Sequence, residues 1–263
     1  MDDLSRIEAR LRRKEERYEI EQRMLEKRSE EYEALEEVFD KPTLITLYRL
    51  MRQGIIAEIF GAVKAGKESK LYWGKAKGGE ELAIKIFLTI SAEFRKGMMK
   101  YIDGDPRFRY VKKDSRALIS LWASKEFRNL KEAYGAKVRV PKPIYVKENV
   151  LIMEFIGKEG RPAPLLKEVE VKNPRRIYGS ILRNLRRLYR YAGLIHGDMS
   201  EYNVMMWRGW PVLFDFSQAV SREHPNAMEF LRRDLSNLNR YFEALGLEVE
   251  DVESILQWIA GVD

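Results

Sequence analysis

Cysteine is absent from the 263-residue chain, so disulfides and thiolate-held metal are excluded, and His196 and His224 are its only imidazoles. No zinc site is expected. There is also no apolar run of membrane-spanning length, and the opening MDDLSRIEARLRRKEER is charged where a secretory signal would need its apolar segment. The expectation is a soluble, cytoplasmic protein without membrane contact. No internal repeat recurs along the chain. Apolar side chains are plentiful, 45% of residues with 11% aromatic, enough for a substantial core in one or two units. The net charge of +7 suggests attraction to polyanions without separating RNA, ATP, an acidic protein or simple solubility.

Apolar spacing organises the chain into three stretches. From Asp2 to Glu37 charge is dense and the pattern reads as a solvated helix rather than a coiled coil. A second helix is expected after Asp40, with Pro42 in its first turn, Leu44, Leu47, Tyr48 and Met51 on one face, and an end near Gly54. Residues 1–55 thus form a helical extension. The period then becomes alternating, and Ile56–Val63, Ser69–Lys75 and Glu81–Phe87 read as an antiparallel sheet with turns at Gly66 and Gly78-Gly79. Ile90–Ser115 has no clean period and reads as a long, partly mobile loop. A helix over Leu118–Ala133 and strands at Lys142–Val146 and Val150–Phe155 follow, then a linker over Gly157–Pro164. Beyond it Pro174 opens a helix that Gly193 ends, Val204–Met206 and Val212–Phe214 flank a Gly209 turn, and helices over Asn226–Ala244 and Val249–Ala260 close the chain. The expected fold class is α+β in two lobes, an antiparallel-sheet lobe over 56–156 and a mainly helical lobe over 157–263.

The strongest chemical signal is His196-Gly197-Asp198-Met199-Ser200-Glu201-Tyr202-Asn203, followed after a short hairpin by Phe214-Asp215-Phe216. Phosphoryl transfer to an alcohol needs a carboxylate that accepts the incoming proton and oxygen ligands for magnesium. Asp198 fits the base, and Asn203 and Asp215 the metal ligands. Lys85, in Ala83-Ile84-Lys85-Ile86 on the third strand, suits the phosphates of ATP, with Glu126 on the next helix as its ion-pair partner and Glu132 as the fallback. Gly61–Ser69 nearly matches a phosphate-binding loop of the Walker type, but Glu68 stands where Ser or Thr must hold magnesium, and a strand follows. It reads instead as a hairpin over the phosphates, in which Lys67, Glu68 and Ser69 face ATP. Met153-Glu154-Phe155-Ile156-Gly157 reads as a hinge for adenine, through the Glu154 carbonyl and the Ile156 amide.

These strings resemble the RIO atypical protein kinases. The likeness lies in Leu47-Tyr48-Arg49-Leu50 through Gly61, Gly66-Lys67-Glu68, Lys85, Lys125-Glu126-Phe127-Arg128-Asn129-Leu130, Met153 to Gly157, and Ile195-His196-Gly197-Asp198 with Ser200-Glu201-Tyr202-Asn203, across about residues 40 to 245. The Ser200–Asn203 and Glu126–Leu130 strings resemble the first RIO branch, whereas Gly66–Ser69 is closer to the second. The resemblance implies a serine/threonine kinase fold trimmed of its peptide platform. The chain agrees, with no glycine after Asp215-Phe216 and no Ala-Pro-Glu. It further implies an ATP- and magnesium-dependent kinase and ATPase in maturation of the small ribosomal subunit, with a precursor particle or its rRNA as partner and Asp215 as a phospho-acceptor. The alternatives are a small-molecule kinase of the aminoglycoside or choline type and an ATP-gated RNA-binding assembly factor with little turnover.

Overall fold

The computed structural model describes residues 39–88, 92–108 and 114–261. The helix expected over Asp2–Glu37 lies outside them. Cα packing divides the chain between Arg49 and Leu50.

Helix α1, Lys41–Arg52, begins where Asp40 accepts from the Thr43 amide at 3.1 Å, with Pro42 in the first turn, where its missing N–H costs nothing. Its buried positions are Thr43, Thr46, Leu47 and Leu50, so the inward face is rotated from the one that hydrophobicity marked. Thr46 fits there because its hydroxyl donates to the Pro42 carbonyl.

The second unit starts with a five-stranded antiparallel sheet, order β1-β2-β3-β5-β4, from β1 (Glu58–Ala65), β2 (Ser69–Lys75), β3 (Glu81–Phe87), β4 (Pro143–Lys147) and β5 (Val150–Glu154). β2 and β3 have the expected bounds and β1 starts two residues late. The central strand β3 is almost wholly buried, which explains its near-continuous apolar run and makes Lys85, paired across to Leu71 and Leu151, the exception.

Ile90–Ser115 is not simply a loop, since it contains helix α2, Ala92–Met99. Its anchors Met98, Tyr101 and Ile102 are buried but gather at the helix end, behind Gly97 and several charges, so the segment carries no full helical period. Helix α3, Ser115–Gly135, is capped by Asp114, which accepts from the Arg116 and Ala117 amides, and runs behind the sheet.

The expected linker at Gly157–Pro164 is also corrected. It folds as a two-stranded hairpin, β6 (Gly157–Lys158) with β7 (Arg161–Pro162). Glycine and proline signalled a break, yet Gly157 is required by a close strand: a Cβ there would lie 2.2 Å from the Arg161 carbonyl oxygen. The rest is built on α4 (Pro174–Tyr191), α5 (Ala227–Ala244) and α6 (Val252–Ala260), with β8 (Leu194–Ile195) paired to β11 (Val220–Ser221) and a hairpin of β9 (Val204–Trp207) and β10 (Trp210–Leu213). One apolar core runs from β3, α2 and α3 through α4 and α5 to α6. Among the described residues no helix is long and apolar enough to cross a membrane.

Candidate active site

A cleft between the sheet and the helical part opens as two adjoining cavities of about 290 and 230 Å³, which share Leu71, Met153 and Phe214 in their walls. Gly66, Lys67, Glu68 and Ser69 bound the first from the β1–β2 turn, and Lys85, Glu126 and Asp215 form its floor. Met153, Glu154 and Ile156 bound the second. The Ile156 amide donates to no acceptor among the described residues, while its carbonyl accepts from Ala163 at 2.9 Å. That free donor beside an apolar slot suits a flat heterocycle.

Lys85 Nζ reaches both Glu126 oxygens, at 2.9 and 2.8 Å, and Asp215 Oδ1 at 3.1 Å. Glu132, the fallback partner, instead lies 3.4 Å from Arg107. Burial alone would depress Lys85, but Asp215 and Glu126 together outweigh it and hold the ammonium well above its usual range. Burial pushes Glu126 up to about 7 against the pull of Lys85. Asp215 goes the other way: burial would raise it, yet Lys85 and the Ser217 hydroxyl, which donates to Oδ1 at 2.8 Å, hold it near about 2. Its side chain is nonetheless 39% exposed, and Oδ2 accepts nothing among the described residues. Asp215 also adopts φ 60°, a left-handed backbone uncommon outside glycine.

Asp198 lies beyond the residues that line these cavities, on the loop after β8. Asn203 Nδ2 donates to its carbonyl at 2.7 Å and to its Oδ2 at 3.2 Å, and Gln218 donates to the same oxygen at 3.2 Å. Burial, then repulsion from Asp215, raises its pKa, as suits a proton acceptor. Glu68 is raised by burial and by Asp215 and Asp198. Three carboxylates that disfavour one another's charge make a place where a cation is stabilised. Among the described residues no group of three or more His, Asp or Glu could hold a metal ion, so water and phosphate oxygens would have to complete the shell of a magnesium held here.

Sequence reasoning missed what fixes these groups. Asp234 on α5 is fully buried and accepts from the Gly197 and Met199 amides, both at 2.8 Å, which locks the backbone on either side of Asp198. Gly197 needs its φ of 76°, and a Cβ there would lie 3.0 Å from the Gln218 carbonyl oxygen. On α3, next to Glu126, the fully buried Lys125 donates to the Ser217 carbonyl at 2.8 Å and to that of Ala219. Burial, then Arg107, lowers its pKa to about 7. Asn129 donates to Phe216 and Ala219 carbonyls, each at 2.9 Å. A charged residue in the middle of a helical period reads as solvent-facing, and only its partner carbonyls, about ninety residues away, reverse that reading. His196 is buried too, its Nε2 3.1 Å from the Phe214 carbonyl oxygen, and His224 is held by Asp103 and Asn226. Among the described residues neither imidazole belongs to a group of side chains that could hold a metal ion.

Comparison with known proteins gives one family. A family model described as the RIO domain matches residues 70–255. The RIO-type serine/threonine-protein kinase Rio1 of Haloferax volcanii is 40% identical over 262 residues, 98% of this chain and 89% of that one. Human serine/threonine-protein kinase RIO1 is 38% identical over 229 residues, and the chain spans only 40% of its length. Among solved structures, the Rio2 kinase–ADP/Mg2+–phosphoaspartate complex from Chaetomium thermophilum has the same fold, with a TM-score of 0.63 over 83% of this chain and 66% of that one, at 23% identity.

Proposed function

This chain belongs to the RIO family and is a kinase, and from that premise we propose that it is a magnesium-dependent serine/threonine kinase and ATPase that acts in the cytoplasm on small-subunit ribosomal precursors. The observation that carries the reading is the Lys85 ammonium clamped between Glu126 and Asp215 at the floor of a cleft that the β1–β2 turn covers. In it Lys85 holds phosphate oxygens, Lys67 and Ser69 add donors from the turn, and the Glu154 carbonyl and Ile156 amide take the adenine edge. The sheet part, 56–156, and the helical part, 157–263, act as the two lobes. Asp215 and Asn203 would hold magnesium, whose bound chemistry is to neutralise charge on the transferring phosphate. Asp198 orients the acceptor hydroxyl and takes its proton.

Measured with and without immature ribosomal particles, Asp198→Ala is expected to lose roughly 10³-fold or more in turnover. The fold should persist, because Asp198 makes only bonds to neighbours on its own side of the cleft and is repelled by Asp215. Near-full turnover in that variant would leave the ATP-gated assembly factor as the better reading.

A second reading rests on Asp215 itself, ionised, partly exposed and with an Oδ2 that accepts nothing among the described residues. That oxygen attacks the γ-phosphorus, the bond to the β-phosphate oxygen breaks and ADP leaves. Water then cleaves the acyl phosphate and gives its proton to Asp198, so the chain cycles as an ATPase. Label trapped on the enzyme in turnover should be released by hydroxylamine. Label that resists hydroxylamine would exclude the covalent route.

A further inference from the structure

Three segments, 136–147, 172–197 and 202–214, contain no aspartate or glutamate, although the chain carries 41. The structure brings them together on one side of α4. Arg187 donates from α4 to the Lys137 carbonyl at 3.2 Å, Asn184 accepts from the Arg139 amide at 2.9 Å, and Arg176 donates to the Gly209 carbonyl at 2.8 Å. Lys137, Arg139, Arg176, Arg183, Arg187 and Arg208 are all exposed there. None of them pairs with a carboxylate among the described residues. A folded surface ordinarily intersperses charges of both signs, and uncompensated like charge costs stability through self-repulsion.

Two features narrow the partner. The exposed cations of α4 are all arginines, at positions 175, 176, 183 and 187, the last three spread over about 16 Å of one helix face at 1.5 Å per residue, and guanidinium binds phosphate oxygens in pairs where ammonium offers a point charge. Aromatic rings are set among them: Trp210, 38% exposed, lies under Arg139 at 4.9 Å and Arg176 at 4.7 Å, and Trp207 under Arg208 at 5.3 Å. A membrane surface would require an apolar face to insert, and the outward side of α4 has none between Arg175 and Arg187.

We propose that the face formed by α4, the β9–β10 hairpin and residues 137–139 binds single-stranded RNA, its arginines on the phosphates and the edge of Trp210 beside a base. This deepens the partner part of the function proposed above. It separates from the kinase part, because ATP turnover of the unaltered chain without RNA reports on that part alone.

The test titrates a labelled, mixed-sequence single-stranded RNA against the full chain, an Arg183→Glu/Arg187→Glu pair, a milder Arg183→Gln/Arg187→Gln pair, and a control reversal at the exposed Lys77 and Lys131. The face pair should bind at least tenfold more weakly and the neutral pair by an intermediate amount, with the control within twofold. The slope of log affinity against log salt should become shallower by about 1.4 in the face pair, two phosphates at ~0.7 each. The circular dichroism of the neutral pair confirms that the face still folds. Equal loss in the face and control pairs would reduce the effect to net charge and overturn the proposal. So would unchanged RNA binding in both face pairs, or a loss confined to phosphatidylserine vesicles or polyglutamate.

Discussion

Removing the Lys85 ammonium strands Glu126, which is fully buried and paired at 2.8 Å, and an ionised carboxylate left so costs about 3–5 kcal/mol. Because burial already pushes Glu126 up to about 7, protonation limits that cost near neutral pH. Lys85→Ala is expected to lose roughly 10³-fold or more in turnover and also to melt lower. Adding Glu126→Gln should restore most of the stability and none of the turnover, and a double variant no more stable than the single one would refute the pairing as the cause. His196 supplies a pH dependence. Burial lowers its pKa to about 4, whereas an unfolded histidine titrates near 6.5. Between those values the unfolded chain binds the proton and the folded chain does not, so this contribution is complete above pH 6.5 and is lost as pH falls through about 4. The slope is about 1.4 kcal/mol per pH unit, roughly 3 kcal/mol in all. Asp234, raised to about 7 by burial, acts with the opposite sign across the whole of that range, so the informative measurement is a difference. Urea stability of the parent minus that of His196→Gln should fall between pH 6.5 and 4, and a pH-independent difference would mean that His196 is not buried neutral.

Helix α3 serves both sides of the cleft, holding Lys85 through Glu126 and the Asp215 loop through Lys125 and Asn129. Asn129→Ala removes the side-chain donor of the buried Phe216 carbonyl, leaves the Ala219 carbonyl to Lys125 alone, and frees a donor on Arg107, whose bond to Asn129 is 2.8 Å. The expected cost is about 2–3 kcal/mol of stability, with a several-fold rise in the magnesium concentration needed for half-maximal turnover and little change in ATP affinity. An unchanged magnesium requirement would show that α3 does not position Asp215. How far such elements could be read from sequence follows from where their signals reside. β2 and β3 alternate or are continuously apolar and were legible to the residue; α4 was legible from Pro174 at its start and from Gly193 just beyond its end at Tyr191. Lys85, Glu126, Asp198, Asn203 and Asp215 were legible as candidates because charge in a buried strand or a short motif is conspicuous. α2 and the β6–β7 hairpin were not, since one hides its few anchors behind charge and the other is made of residues that ordinarily break structure. Asp234, Lys125 and Asn129 carry no local signal at all, because what defines them is a partner backbone group at 35 to 94 residues' separation.

On the scale of the molecule, the Lys85–Asp215 ion pair joins the central strand of the sheet to the loop ahead of β11 across the cleft. Free ATP brings several negative charges to a place where Glu68, Asp198 and Asp215 already raise one another's pKa or compete for Lys85, so without a cation binding is opposed by like charge. Magnesium held by Asp215 and Asn203 would reverse that sign by neutralising the phosphate charge. Nucleotide and metal together would then tie the two halves of the fold, and a ligand at a hundred times its Kd adds about 2.7 kcal/mol to the folded state. For a chain of this size that corresponds to a rise in Tm of about 5–10 °C. Thermal melts should show that rise with ATP and magnesium, a much smaller one with ATP and a chelator, and in Asp215→Asn a collapse of the difference between the two as the metal ligand and the repulsion disappear together. Equal shifts with and without magnesium, or an unchanged magnesium increment in Asp215→Asn, would show that Asp215 does not hold the metal and that the cleft binds nucleotide by some other arrangement.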